Sequence, residues 1–189
     1  MRGLVEIIPL LISVIDGSRE FSPEIIKSAA LVGENESPQV KISTAESFIK
    51  KARESMGATM VSTSISGIRK LIDSLYRNNI IAIACDQVPA IKSGIHSNFF
   101  GVQALTMTLV VRLALKTKSP CHSVSYIRKK NGKGFQICFS EAIKELNILD
   151  VQEGVNHMNR QLEKCIIRAP EQYAWEYKRF KRSLFENPY

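Results

Sequence analysis

Apolar positions fall into short runs that alternate between helical and strand periods along the chain. Ile7 to Ile15 reads as a short buried helix or strand, followed by a polar stretch from Asp16 to Pro23. Residues 33 to 41 combine Gly, Asn, Ser and Pro with charge and predict a surface loop. Ser43 and Glu46 then form a capping box. Behind them Phe48, Ile49, Ala52 and Met56 share one helical face, and Gly57 supplies the stop. Thr59 to Ser62 predicts a strand. A helix from about Ser66 to Arg77 places Ile68, Leu71, Ile72 and Leu75 at core-facing spacing.

Ile80 to Cys85 is a continuous apolar run of strand length, the pattern of a parallel strand covered on both faces. It runs into Asp86-Gln87. Ligands of open α/β sheets usually sit just past the carboxyl ends of strands, so Asp86 is either a site residue or a cap of the following turn. Gly94 to Gly101 predicts a loop carrying Phe99 and Phe100, and Ala104 to Leu115 a nearly all-apolar helix. Cys121 to Ile127 and Phe135 to Phe139 predict a hairpin turning at Asn131-Gly132. The last long helix, about Val151 to Arg168, buries Val151, Val155, Met158, Leu162 and Ile166. Strands alternating with helices, plus one hairpin, predict a single α/β domain over residues 1 to 189, with a mixed, mostly parallel sheet flanked by helices.

Composition narrows the partners. The net charge of +8 favours anionic ones without separating nucleic acid, membrane surface and acidic protein. Nucleic acid is disfavoured, because no exposed aromatics cluster on a predicted sheet face. The four cysteines are widely spaced; Cys85 and Cys138 lie in apolar runs and predict buried thiols in a reducing compartment. Neither a metal ion nor an organic cofactor is expected. No run reaches the eighteen or so apolar residues of a spanning helix.

Common catalytic signatures are missing: the sequence has no G-x-S-x-G, no G-x-G-x-x-G and no Walker loop. Cys121 and His122 are neighbours on a predicted strand, so they point to opposite faces and cannot pair as nucleophile and base. His157 is expected to be exposed on the last helix. His96 is either a general base or a solvated loop histidine. Phe99 and Phe100 either wall an acyl chain or plug the core.

The most distinctive stretch runs from Arg168 to Arg182. It interleaves the single tryptophan and two tyrosines with five cations in fifteen positions. Such a surface suits a flat amphipathic group bearing anions. The alternative is a helix packing Tyr173, Trp175 and Phe180 inward, with its cations in water.

Several segments, taken together, resemble the lipid A biosynthesis acyltransferases, the late lauroyl and myristoyl transferases of Gram-negative bacteria. They are Arg53-Glu-Ser-Met-Gly57, Asp86-Gln87, Phe99-Phe-Gly101 with Thr106, and above all Ala169-Pro-Glu-Gln-Tyr173 with Trp175, Arg179 and Lys181. The likeness covers about Ser43 to Arg182, in the family's order and spacing. It implies a glycerolipid-acyltransferase-like fold, here incomplete at its amino terminus, as the carboxy-terminal two-thirds of the family domain. It implies acyl transfer from an acyl carrier protein thioester to a hydroxyl of a lipid A precursor, by a peripheral protein on the anionic cytoplasmic face of the inner membrane.

The resemblance also implies site roles. Glu6 becomes the acid of a His-x-x-x-x-Asp/Glu dyad and Met1 falls on the histidine position. A thioether has no basic nitrogen, and loss of a general base typically costs about a hundred- to ten-thousand-fold in rate. The family's Tyr-Arg-Pro segment has no counterpart near Leu31 to Glu34. Asp86 and Gln87 would line the site in one cleft with Glu6, and Phe99 and Phe100 would border the acyl groove. Arg168, Arg179 and Lys181 would contact phosphate or carrier protein. The chain is accordingly expected to be impaired, or to persist as a non-catalytic binder of anionic lipid or carrier.

Overall fold

The computed structural model describes residues 10–13, 30–32, 59–185 and 189, the first two segments as backbone only. Six strands form one sheet: β1 (Leu10–Ser13), β2 (Ala30–Val32), β3 (Thr59–Val61), β4 (Ile81–Ile83), β7 (Cys121–Arg128) and β8 (Phe135–Phe139). Their spatial order is β3-β2-β4-β1-β7-β8. A separate two-stranded ribbon pairs β5 (Gly94–Phe99) with β6 (Val102–Met107). Among the described residues three α-helices pack with them: α1 (Ile65–Tyr76), α2 (Leu109–Thr117) and α3 (Val151–Ile167). The mixed α/β class stands.

The expectation of a mostly parallel sheet does not. β2 runs parallel to β3 and β4, but β1 is antiparallel to both β4 and β7, and β7 to β8. The cause is partly local, since a hairpin can only return antiparallel. The rest is β1, which enters between β4 and β7 against the direction of each. β4 is fully buried, as its unbroken apolar run predicts.

Helix ends follow their side chains. Ser64 Oγ accepts the Gly67 N–H at 3.2 Å to cap α1, and Asp150 Oδ1 accepts the Glu153 N–H at 2.9 Å to cap α3. The core gathers Leu71 and Leu75 of α1, Val111 and Ala114 of α2, and Val155, Met158 and Leu162 of α3 around β4, β6 and β7. At the α2–α3 crossing a Cβ on Gly154 would lie 2.5 Å from Val111 Cγ1. Glycine there sets how closely the two helices approach.

Three local expectations need correction. The Gly94–Gly101 loop is strand β5 plus a two-residue turn, Phe100 (φ 50) and Gly101 (φ 82), whose positive φ values match the tight hairpin turn. Phenylalanine at positive φ hides that turn from sequence. It is held there by the Phe100 N–H donating to Glu163 Oε1 at 2.6 Å and the Gly101 N–H to Asn98 Oδ1 at 2.8 Å. The apolar run Ala104 to Leu115 is a strand followed by a helix, broken at Thr108. A strand covered on both faces and a buried helix look alike in sequence. Finally, Cys138 is only half-buried, whereas Cys85, Cys121 and Cys165 are buried, all as free thiols. The helix of residues 43–57 and the loop of 33–41 lie outside the described residues.

Candidate functional site

A cavity of about 380 Å³ opens beyond the carboxyl end of β4. Its apolar wall is Ile68 of α1, Ile83, Met107 and Leu109. Its polar lining is Thr63, Gln87, Lys92, Ser93, Thr108 and Arg112. Two of these are cations, and among the described lining residues none is acidic. The volume falls in the range of small-ligand sites, and so does the pairing of an apolar wall with a few polar groups.

The polar side is built at the open end of the β5–β6 ribbon. Thr108 lies between β6 and α2; its N–H and hydroxyl both lie 3.4 Å from the carbonyl of Ser93, which precedes β5. Its hydroxyl in turn accepts from Arg112 Nε at 3.1 Å. One turn of helix thus places a guanidinium at the cavity with its plane anchored.

Asp86 and Gln87 part company. Gln87 lines the cavity, whereas Asp86 turns inward and is 5% exposed. There it meets Tyr173 and Arg179. Burial first, and the Asp86 charge next, push the Tyr173 phenol far above its usual range, against the opposing pull of Arg179. Burial pulls the Arg179 guanidinium down, against the opposing pull of Tyr173 and Asp86.

Arg179 is the largest side chain wholly inside the described structure, at 2% exposed. Its two Nη atoms donate to the Leu105 carbonyl at 2.8 Å and to Thr106 Oγ1 at 2.7 Å, and its guanidinium lies 5.0 Å from the Phe99 ring centre. Thr106 Oγ1 also accepts from Asn159 Nδ2 of α3, which bonds Ser97 Oγ and the Asn98 carbonyl as well. A buried polar network therefore joins the ribbon, α3 and the carboxy-terminal segment. As a fully enclosed brace, Arg179 has no free face to offer a surface anion.

The other aromatics and cations sort by depth. Phe99 is fully buried against Phe180 at 5.9 Å and does not line the cavity; Phe100 is 38% exposed, 6.1 Å from Trp175. Arg168 is exposed at the end of α3. Lys181 is half-buried with its Nζ 4.7 Å over the Tyr177 ring. Neither cation lines the cavity. Glu6 lies outside the described residues, as does Arg53-Glu-Ser-Met-Gly57.

The stretch from Ala169 to Arg182 is neither a helix nor a flat aromatic platform. It is two short 3-10 turns that strap the domain. Gln172 exchanges hydrogen bonds with the backbone of Arg128 at the end of β7, and Trp175 Nε1 donates to the Pro170 carbonyl at 2.8 Å. Tyr177 accepts the Val88 N–H at 3.0 Å, and Arg182 donates to the Pro89 carbonyl at 2.6 Å. His96 Nε2 donates to the Arg182 carbonyl at 2.9 Å, so this histidine is a latch on the strap in the structure. The strap thereby holds the Asp86–Pro89 segment that forms one wall of the cavity.

The family model for bacterial lipid A biosynthesis acyltransferases matches residues 34–182. The chain belongs to that family. It is 28% identical over 116 residues to the lipid A biosynthesis lauroyltransferase of Escherichia coli K12, covering 60% of this chain and 38% of that protein. It is 26% identical over 117 residues to the palmitoleoyltransferase of the same organism, and equally to a lipid A biosynthesis acyltransferase of Shigella flexneri, covering 61% of this chain and 38% of each. The chain thus matches well under half the length of these relatives.

The carboxy-terminal stretch that carries the resemblance has a structural explanation: Gln172 binds the end of β7, Tyr177 the Val88 N–H beyond β4, and Arg179 strand β6. The cavity residues Lys92, Thr108 and Arg112 escape sequence reading. Arg112 interrupts an apolar helical run, which was the available signal. The remaining histidines are placed as follows. His122 Nδ1 donates to the Ser140 carbonyl, with Cys121 buried on the opposite face of β7. His157 is half-buried rather than exposed, 3.7 Å from Glu145, and burial lowers its pKa. Among the described residues no helix is long and apolar enough to cross a membrane.

Proposed function

We propose that this chain belongs to an acyl-transfer domain that moves a fatty acyl group from an acyl carrier protein thioester to a hydroxyl of a lipid A precursor. It would work peripherally, on the cytoplasmic face of the bacterial inner membrane. The observation that carries the reading is the family match from residue 34 to 182. The cavity at the end of β4 supports it, since an apolar wall facing two cations suits an anionic amphiphile.

In this reaction the acceptor hydroxyl attacks the thioester carbonyl, a C–O bond forms, the C–S bond breaks and the carrier's thiol leaves. A base must take the hydroxyl proton. Glu6 is the dyad acid on this reading, and Met1 occupies the base position. Gln87 meets the substrate in the cavity and Asp86 supports that wall from behind. Phe100, Arg168 and Lys181 remain candidates for contact with the carrier or the headgroups around the site. Phe99 and Arg179 would act from within, as supports.

The test is acyl transfer by the purified chain from acyl carrier protein to a lipid A precursor, followed by mass spectrometry. Released from a cleavable tag, Met1→His should raise turnover by about a hundredfold or more. Glu6→Ala should remove that gain. No turnover in any variant would refute the catalytic assignment for this chain.

Methionine at the base position favours one second reading, a domain that binds anionic lipid or carrier without turnover. Sedimentation with anionic liposomes, lost on raising salt, supports that reading when turnover is absent.

A further inference from the structure

We infer that the Arg112–Lys92 side of the β4 cavity is a receptor for a phosphate group carried on an apolar tail. The cavity has two chemically distinct sides. Ile68, Ile83, Met107 and Leu109 supply the apolar one, while Arg112 and Lys92 face no acidic lining residue among those described. An anion entering there meets two positive charges and, among the described lining residues, no negative one.

Arg112 is prepared for this role. Its Nε is committed to Thr108 Oγ1 at 3.1 Å, and Thr108 is tied to the Ser93 carbonyl. The guanidinium is thereby oriented, and its two Nη groups make no hydrogen bond among the described residues. Such a fork matches two oxygens of a carboxylate or phosphate. Lys92 and the hydroxyls of Ser93 and Thr63 add donors on the same lining. One guanidinium suffices for a carboxylate; two cations with several hydroxyls suit a dianionic, tetrahedral phosphate monoester. The apolar wall then selects the tail.

Arg179 cannot serve instead, because both its Nη atoms are consumed inside the protein. The receptor is therefore assigned to a cation outside the family-like carboxy-terminal stretch.

The assignment deepens the acyl-transfer reading and rests on it only for the identity of the amphiphile. Its test measures binding without turnover, by titration calorimetry of the purified chain with dodecyl phosphate, dodecanol, phosphopantetheine and inorganic phosphate. Dodecyl phosphate should bind at least about tenfold more tightly than dodecanol, as hydrogen bonds to charged groups imply. Arg112→Gln should erase that preference, and Lys92→Gln should weaken it. Lys130→Gln, at an exposed cation of the β7–β8 hairpin off the cavity, should leave it intact. Inorganic phosphate should compete only at much higher concentration. Arg112 is exposed, and far-UV circular dichroism with the urea midpoint checks that each variant stays folded.

Equal affinity for phosphate and alcohol would overturn the assignment, as would an unchanged preference in Arg112→Gln. So would equal losses in Lys130→Gln, which would mean a diffuse surface-charge effect. Phosphopantetheine binding as tightly as dodecyl phosphate would overturn the tail requirement. Acyl transfer with no phosphate preference would sink this inference alone. Phosphate preference with no transfer by any variant would sink the reaction alone.

Discussion

Replacing Arg179 with methionine should unfold this domain far more readily than any exposed-cation substitution. The parent guanidinium is 2% exposed and donates to the Leu105 carbonyl and Thr106 Oγ1 at 2.8 and 2.7 Å. Hydrogen bonds to charged groups contribute about 1.5–3 kcal/mol each. Methionine regains part of the packing over Phe99, but takes the guanidinium donor from the Leu105 carbonyl and one of two donors from Thr106 Oγ1, and leaves the buried Asp86 without its cationic neighbour. Removing one member of a buried charge cluster costs about 3–5 kcal/mol, a large share of the roughly 5–15 kcal/mol of a typical domain.

The measurement is urea unfolding followed by circular dichroism. At a slope of about 2 kcal/mol per molar, the midpoint should drop by roughly 2 M. Arg179→Lys should fall between, keeping the charge but losing the planar fork. The reasoning is refuted if Arg179→Met unfolds within about 1 kcal/mol of the parent while losing affinity for anionic lipid. That pair of results would make Arg179 a ligand contact.

Three further outcomes are expected. Tyr173 has a folded pKa raised above its ordinary value of 10.0, so the unfolded chain ionises first and stability should fall as pH rises past that value. The loss should steepen toward about 1.4 kcal/mol per pH unit for one group, and Tyr173→Phe should flatten it in urea midpoints at pH 9, 10 and 11; identical slopes would contradict the burial argument. Gly154→Ala should cost about 1–3 kcal/mol through the Val111 contact, read by thermal melting, whereas an unchanged melt would show that the helices can part freely. Tyr177→Phe frees the Val88 N–H; it should cost about 1 kcal/mol in urea unfolding and weaken dodecyl phosphate binding through the Gln87 wall, and an effect on neither would dismiss the strap as a support.

Periodicity alone located most elements. The stripes of α1 and α3, the buried run of β4 and the Asn131-Gly132 hairpin are local signals, carried by spacing and turn chemistry. The family resemblance was legible for the same reason: motifs are strings, and Ala169-Pro-Glu-Gln-Tyr173 can be read without knowing what it touches. What could not be read is where side chains go once distant segments meet. The Phe100-Gly101 turn depends on Glu163 of α3, and the antiparallel entry of β1 depends on strands far along the chain.

The candidate site divides along the same line. The strand-end argument pointed to Asp86, which turns inward, while Gln87, named through the resemblance, lines the cavity beside it. Arg179 and Arg112 are the same residue type, and nothing in their neighbours says that the first is sealed inside while the second faces a cavity. That difference arises because the carboxy-terminal strap folds over β6, some seventy positions earlier in the chain, enclosing one guanidinium. A charge acquires its role from the solvent and partners that tertiary packing leaves it.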